Sequence, residues 1–222
     1  LQSSRMSALI SEMLELASLG AVVLQPRAVE LAAAWGVTIH VRSSFNDAAG
    51  TLVKGDDQME KQRVVSGVTR DLNVVKVMLV DVPDRPGVAH EIFSTLAAEG
   101  INVDMIVQTT KQGPVTDLLF TISQDDYEVT KGLIEGLQQK LGITKVLYSD
   151  RLAKVSIVGA GMMSNPGVAA TMFGVLAENG INIEVISTSE IKVSCLIDKD
   201  KVETAVQAIH DRFKLGEEVT IA

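Results

Sequence analysis

The sequence has little of several residue types that would define a class of protein. It contains one cysteine, Cys195, in 222 residues, and aromatic residues make up only 4%. One cysteine excludes a disulfide scaffold within the chain, and its apolar neighbours predict a buried strand thiol. No apolar stretch reaches the roughly 20 residues of a transmembrane helix, and no signal-peptide pattern is present. These absences favour a cytoplasmic protein with no membrane partner.

Positive charge is also in short supply. The chain has 20 Lys and Arg residues against 28 Asp and Glu residues, which gives a formal net charge of -8. An acidic surface repels both nucleic acid and anionic membranes, so neither is expected as a partner. Hydrophobic residues make up 46% and charged residues 22%, as in an ordinary packed globular protein.

The residues that usually carry catalysis are sparse. His40, His90 and His210 have no partners at the spacing of a metal site or a catalytic triad. No Walker loop is present, and Gly159-Ala160-Gly161 lacks the third glycine of a dinucleotide fingerprint, because Ser164 stands there. We therefore expect no catalytic residue, metal ion or cofactor in this chain.

What the sequence does contain is one stretch that occurs twice. Asp84–Ala89 and Ser164–Ala169 share Pro-Gly-Val-Ala, and Gly100–Ile106 and Gly180–Ile186 share Gly-Ile-Asn. The two copies are 80 positions apart without a gap from Pro86 to Ile106. Agreement over such a length indicates two copies of one supersecondary unit.

Each copy has the pattern strand, helix, strand, strand, helix, strand. Apolar alternation predicts the strands, and apolar residues at three- and four-residue steps predict the helices. Asp84 and Ser164 are predicted as N-caps, and the last strand of copy two is expected at Glu218–Ile221. A strand near Val65–Thr69 is expected to join the sheet of copy two, with copy one inserted between. The fold class is therefore α+β, with two ferredoxin-like βαββαβ units.

The Pro-Gly turns suit a small zwitterion. Backbone N–H groups at a helix N-terminus favour a carboxylate, and glycine lets it approach closely. Asn102 or Asn182 then opens the next strand, and Asp104 or Glu184 could receive an ammonium group. The alternative is structural, with Pro-Gly only beginning a helix and Asn only beginning a strand.

A shorter block precedes the repeats. A helix from Glu12 to Gly20, a helix from Pro26 to Gly36 and a strand over 37–42 are predicted, followed by a loop. No structure is assigned to residues 1–11. The block is too short to form a convincing core alone, and the polar run at Gly55–Gln58 is the expected boundary.

The repeats resemble paired ACT domains, and the whole resembles the regulatory portion of aspartate kinase. Asp84-Arg85-Pro86-Gly87, Asn102–Met105, Val158–Met162 and the Ser-Thr-Ser-Glu-Ile run at 187–191 carry the resemblance. The first block is similar to the end of that family's kinase domain, from Glu12 to Asn46. The implied division is 1–54, a kinase-domain remnant; 55–73, a linker and strand; 74–150, ACT domain 1; and 151–222, ACT domain 2.

The resemblance implies feedback inhibition by lysine, threonine or both, bound at ACT–ACT interfaces of a homodimer or higher oligomer. The effector site expected from the turns and the resemblance together comprises Asp84, Pro86, Gly87, Val88, Ala89, Asn102, Val103, Asp104 and Gln108 in copy one, and Met163, Ser164, Asn165, Pro166, Gly167, Val168, Ala169, Asn182, Ile183, Glu184, Thr188, Ser189 and Glu190 in copy two. Copy one is the preferred candidate site because it offers more charge, provided that its partner strand at Asn182-Ile183 comes from the facing unit.

The family's Lys-Phe-Gly-Gly segment, substrate residues and ATP loop are absent from the sequence. ATP and magnesium would serve the complete enzyme, and this chain alone is not expected to phosphorylate aspartate. Some members of the family make a separate regulatory subunit that starts near a position such as Met59, so a catalytic aspartate kinase subunit is a further expected partner. An ACT-type regulatory subunit of another enzyme, such as acetolactate synthase, remains an alternative.

Overall fold

The computed structural model describes residues 6–55 and 64–216, which form two compact units. One unit is Leu72–Ala153. The other combines the residues up to Asp71 with those from Lys154 onward. The predicted boundary from Asp56 to Gln58, the possible subunit start at Met59 and the predicted strand at Glu218–Ile221 lie outside the described residues.

The unit Leu72–Ala153 is a four-stranded antiparallel sheet with two helices on one face. Its elements are β5 (Val75–Pro83), α3 (Val88–Ala98), β6 (Ile106–Thr110), β7 (Val115–Ile122), α4 (Tyr127–Leu141) and β8 (Lys145–Ser149), and the strand order is β6-β7-β5-β8. The core lies between the sheet and the helices: Val77, Leu79 and Phe120 of the strands and Ile92 and Ile134 of the helices are fully buried. This is the predicted ferredoxin-like unit.

The second unit contains the second copy and the first block of the chain. Its larger sheet has the order β10-β11-β9-β4, built from β4 (Gly67–Asp71), β9 (Leu152–Val158), β10 (Val185–Thr188) and β11 (Lys192–Asp198), with helices α5 (Val168–Glu178) and α6 (Val202–Arg212). β4 pairs antiparallel with β9, in the position that β8 takes beside β5 in the first copy. The expectation that this strand joins the second sheet is therefore confirmed.

The first block is more ordered than the sequence predicts. It contains β1 (Met6–Leu9), α1 (Ile10–Ser18), α2 (Pro26–Trp35), β2 (Ile39–Val41) and β3 (Thr51–Lys54), with the sheet order β1-β3-β2. Both helices and β2 were predicted, whereas β1 and β3 were not. β1 pairs parallel with β3, which is distant in sequence, and β3 pairs antiparallel with β2 after a long loop, so no tight turn marks either strand in the sequence. Met13, Val29 and Val53 form a small core.

The N-cap assignments were wrong. α3 begins at Val88 with Gly87 as its N-cap, and α5 begins at Val168 with Gly167 as its N-cap; both glycines have positive φ, at 97° and 99°. The Pro-Gly turn places the glycine, and not Asp84 or Ser164, at the capping position. A glycine N-cap brings no side chain to the first turn. In α3 the Val88 N–H donates to the Arg85 carbonyl oxygen at 3.4 Å, and the next N–H groups of the turn have no capping side chain.

The start of the following strand was also predicted too early. β6 begins at Ile106 and β10 at Val185, whereas Asn102 and Asn182 were predicted to open these strands. Ile101 and Ile181 are buried, at 5% exposure each, and lead into short irregular segments. The segment in copy one joins the sheet at its end, where the Asp104 N–H donates to the Thr121 carbonyl oxygen at 3.1 Å and the Thr121 N–H donates to the Met105 carbonyl oxygen at 3.0 Å.

Candidate functional site

A cavity of about 320 Å³ lies at the N-terminus of α3 in the first copy. Its wall is formed by the end of β5, the Pro-Gly turn, the first turn of α3 and the facing residues of β6 and β7. The lining residues are Val82, Pro83, Asp84, Arg85, Pro86, Gly87, Val88, Ala89, Gln108, Thr116 and Leu118. Six of the nine residues predicted for copy one are among them: Asp84, Pro86, Gly87, Val88, Ala89 and Gln108.

The inner wall of the cavity is aliphatic. Val82, Val88 and Leu118 are 2–4% exposed and belong to the core of this unit. The hydroxyl of Thr116 is already used, because it donates to the Thr109 carbonyl oxygen. This wall can therefore accept the methyl or methylene groups of a ligand, but it has little to offer a buried charge.

The rim of the cavity is polar and exposed. Asp84, Arg85 and Gln108 make no side-chain hydrogen bond or ion pair with any residue in 6–55 or 64–216. The carboxylate of Asp84 can accept from an ammonium group, and the amide of Gln108 can both donate and accept. The first-turn N–H groups of α3 and the guanidinium of Arg85 can meet a carboxylate. Both ends of a free amino acid thus find a partner here.

A bulge in β5 holds the outer edge of this wall. The pairing of β5 with β7 shifts register between Leu79 and Val82, and Asp81 there has a φ of 57°. Lys111 Nζ lies 2.9 Å from Asp81 Oδ1 and 2.6 Å from Asp117 Oδ1, and the Asp81 N–H donates to Asp117 Oδ1 at 3.1 Å. The hydrogen bond from Lys111 lowers the pKa of Asp81, and those to Asp117 and Asp81 raise the pKa of Lys111.

The other three predicted residues of copy one do not line the cavity. Asn102, Val103 and Asp104 lie in the segment between α3 and β6, where Val103 packs against the core and the other two are exposed. The sequence missed five lining residues: Val82, Pro83, Arg85, Thr116 and Leu118. Leu118 is opposite Gln108 in the register of β6 with β7, and that register is set by the folded sheet and not by a local pattern in the sequence.

The predicted residues of copy two have matching places in the chain. Burial alternates identically along 101–110 and 181–190, so Asn182, Ile183 and Glu184 repeat the pattern of Asn102, Val103 and Asp104. The turn before α5 differs, because Asn165 Nδ2 donates to the Gly161 carbonyl oxygen at 2.8 Å and Ser164 Oγ donates to the same oxygen at 3.4 Å. These two side chains support their own turn.

The remaining predicted residues of copy two lie at the start of α5 and at the end of β10. Pro166, Gly167, Val168 and Ala169 form the turn and the start of α5, as their counterparts do in copy one. Thr188 ends β10, Ser189 donates its N–H to the Lys192 carbonyl oxygen at 2.8 Å, and Glu190 is exposed in the following turn. The side chain of Met163 lies outside the described part of the structure.

The Gly159-Ala160-Gly161 run has a packing role. A Cβ at Gly159 would lie 2.2 Å from the Val64 carbonyl oxygen and 2.7 Å from the Val65 Cα, so only glycine fits there.

In the described part of the chain, no group of three or more His, Cys, Asp or Glu side chains is placed to hold a metal ion. Nor does any described helix have both the length and the apolar character to span a membrane.

Two stretches of the chain match the ACT domain family, at residues 76–140 and 155–213. The aspartokinase of Bacillus sp. (strain MGA3) is 45% identical to this chain over 217 residues, covering 97% of this chain and 53% of the relative. The chain thus spans about half the length of the curated relatives it matches.

Solved aspartokinase structures are also similar to this chain. A crystal structure of aspartokinase alpha and beta subunits contains a chain that is 44% identical, with a TM-score of 0.64; the match covers 68% of this chain and 99% of that one. E. coli aspartokinase III in complex with lysine and aspartate is 25% identical, with a TM-score of 0.71, over 95% of this chain and 46% of that one. The chain therefore belongs to the aspartokinase family and contains the pair of ACT domains of its regulatory region.

Proposed function

We propose that this chain senses a free amino acid, lysine or threonine or both, and thereby regulates an aspartate kinase. The observation that carries this proposal is the cavity at the N-terminus of α3, where an aliphatic wall is surrounded by an amide, first-turn backbone N–H groups and a carboxylate that pairs with no residue in the described ranges. The similarity to an aspartokinase solved with lysine and aspartate supports the choice of effector class.

The cavity suggests how an amino acid is held. The effector carboxylate lies against the first-turn N–H groups of α3, where the helix dipole favours negative charge. Its ammonium group binds Asp84 and Gln108, and its aliphatic part packs on Val82 and Leu118. Both residues of this wall belong to the core of the unit, so the pose of the ligand is tied to the packing of β5 and β7.

Regulation follows if the effector prefers one arrangement of the protein over another. The difference between its affinities for the two arrangements is the coupling free energy that the kinase experiences. The predicted copy-two residues would form further effector contacts; they are Met163–Ala169, Asn182–Glu184 and Thr188–Glu190. The mature complex is expected to act in the cytoplasm.

Calorimetric titration of the purified chain tests this proposal. Lysine and threonine are added separately and together, with D-threonine and alanine as controls for stereochemistry and side-chain size. Saturable binding of L-threonine or L-lysine, with weaker binding of both controls, is the expected result. An absence of binding heat at millimolar concentrations of both effectors would contradict the proposed function.

We also propose a catalytic aspartate kinase subunit as a partner, since a relative has been solved as alpha and beta subunits. The outer face of α2 suits such a contact, because Leu31 is 54% exposed and Trp35, the single tryptophan, is 79% exposed. Burial of Trp35 would shift its fluorescence to shorter wavelength. Titration with a catalytic subunit that leaves the emission unchanged would argue against this face as the contact.

A further inference from the structure

The buried carboxylate of Glu12 is not explained by the cavity or by the predicted effector residues. Glu12 is the third residue of α1 and is only 4% exposed. An ionised carboxylate is costly to bury unless several donors compensate for the lost water. No lysine, arginine or histidine within the described ranges forms an ion pair with it. Its burial must therefore be balanced by hydrogen bonds.

Three donors supply those hydrogen bonds. Ser66 Oγ donates to Glu12 Oε1 at 2.6 Å, and the Ala160 N–H donates to the same oxygen at 2.7 Å. The Leu9 N–H donates to Oε2 at 3.4 Å. The donors come from three separate places in one unit: the start of α1, the residue before β4 and the turn after β9. One carboxylate thus connects three segments that are distant in sequence.

The Ala160 contact leads directly to predicted effector residues. Ala160 begins the turn that runs to Ser164 and continues through Asn165 and Pro166 into α5. The beginning of this turn is held in place, because Gly159 packs against the backbone of Val64 and Val65. A displacement of the turn would therefore strain the bond to Glu12 or move α1 with it.

Two further polar contacts of α1 go to strands. Glu15 Oε2 lies 3.2 Å from Lys192 Nζ on β11, and Thr69 Oγ1 on β4 donates to the Leu19 carbonyl oxygen at 3.1 Å. These contacts fix the helix over one face of the second sheet. Glu12 differs from Glu15 in that one of its donors, the Ala160 N–H, belongs to the turn, so the two residues form a matched pair for experiments.

We propose that Glu12 is a positioning residue that links the turn at 160–164 to helix α1, so that amino-acid binding at the copy-two residues changes the position or stability of α1. The ligand-dependent half of this inference rests on the proposed function, whereas the hydrogen-bonded link does not. The physical reason is the free-energy cost of a buried carboxylate with too few hydrogen-bond donors. Opening either segment leaves Glu12 buried with fewer donors, so the two segments open together.

Hydrogen exchange on the complete chain without ligand tests the link. In the parent, we expect α1 and residues 160–169 to lose protection at the same urea concentration. In Glu12→Gln, the charge-assisted bonds become neutral, so the Ala160 amide should exchange about tenfold faster. The two segments should then lose protection at different urea concentrations. Glu15→Gln should leave them together. Separation in Glu15→Gln as well, or an unchanged Ala160 amide in Glu12→Gln, overturns the proposal.

Ser66→Ala provides a second variant in case Glu12→Gln does not fold. It removes one donor and leaves the carboxylate in place, so opening becomes easier for everything linked through Glu12. We expect exchange to accelerate by the same factor, about threefold to tenfold, in α1 and in residues 160–169. Acceleration in α1 alone would overturn the link, because a merely structural serine would affect only its own neighbours.

The ligand-dependent half of the proposal is tested by repeating the hydrogen-exchange experiment with saturating threonine and lysine. Parent protein should gain protection in both segments, and Glu12→Gln only in residues 160–169. If the parent gains protection in residues 160–169 but not in α1, the coupling is wrong while the proposed function stands. If calorimetry detects no binding, the proposed function fails, and the ligand-free comparison still decides the link.

Discussion

Asp84 stands at the rim of the cavity with a carboxylate that no described residue neutralises. Its backbone N–H donates to the Pro114 carbonyl oxygen at 2.8 Å, so the residue is fixed by its main chain while its side chain remains exposed. Since Gly87 is the N-cap of α3, Asp84 has no capping role that its replacement would remove. Stability and ligand affinity can therefore be separated at this residue.

Replacement of Asp84 by Ala should weaken effector binding without lowering stability. Loss of a charge-assisted contact typically costs about 1.5–3 kcal/mol, or roughly a ten- to hundredfold loss of affinity. The free energy of unfolding should change by less than about 0.5 kcal/mol, as at other exposed positions. Calorimetry and urea unfolding of the same variant measure both. Asp150→Ala, an exposed carboxylate outside the cavity, is the control; equal losses in the two variants would contradict the assignment.

Cys195 is a core residue of β11, as its apolar neighbours predict. Its side chain is fully buried, and burial raises the pKa of the thiol from 9.0 to about 12. Because the folded pKa is the higher one, the stabilisation is complete below pH 9 and is lost as pH rises from 9 towards 12. The thiolate is thus scarce at neutral pH.

We therefore expect Cys195 to be unreactive in the native chain. An aromatic disulfide reagent at pH 8 should modify less than one equivalent over hours, and one equivalent rapidly in urea. The matched measurement is the urea midpoint at pH 7 and pH 10, which should be lower at pH 10. Rapid labelling of the folded chain would show that β11 is open to solvent.

At the scale of the element, the Pro-Gly turn decides where α3 begins and which N–H groups face the cavity. Gly87 has a φ of 97°, and a Cβ built on it would meet no atom within 4 Å. Glycine is therefore required by the backbone conformation and not by crowding. Gly132 and Gly136 form a contrast, because both are exposed within α4, where glycine has no conformational reason to be present.

Gly87→Ala should lower both stability and affinity. A left-handed alanine costs about 1–2 kcal/mol, and relaxation of the turn would move the α3 N–H groups away from the ligand carboxylate. Gly136→Ala should instead stabilise the chain by about 0.5–1 kcal/mol and leave affinity unchanged, because alanine favours the helix. Urea unfolding and calorimetry report both effects. Destabilisation by Gly136→Ala would mean that α4 needs the glycine for another contact.

At the scale of the whole molecule, each large sheet ends in an exposed apolar edge strand. Ile106 on β6 is 52% exposed and Ile186 on β10 is 45% exposed, at equivalent positions of the two copies. An unpaired edge with apolar side chains favours pairing with another chain. The repeat offers two such edges, and a symmetric dimer could cover both.

We therefore predict a dimer or higher oligomer. Light scattering with saturating lysine and threonine should give at least twice the mass of 23.8 kDa. Ile106→Lys and Ile186→Lys place a charge on each edge and should shift the mass towards the monomer. A monomeric mass for the parent under these conditions would contradict the prediction.

The sequence by itself determined the repeat, the ferredoxin-like fold, the family and most of the cavity's turn. Those features depend on local patterns, since alternation sets a strand, three- and four-residue steps set a helix, and Pro-Gly sets a turn. Asp84, Gln108 and the Gly87 to Ala89 run were found in this way, because they lie in or beside the repeated motif.

Only the tertiary structure decided the rest. β1 and β3 form a parallel strand pair between segments that are distant in sequence, so this pairing leaves no local signature. Val82, Thr116 and Leu118 enter the cavity through strand register, and Glu12 reaches Ala160 across 148 positions. Such contacts exist only once the chain has folded, because their energy comes from groups that are neighbours in space and not in sequence.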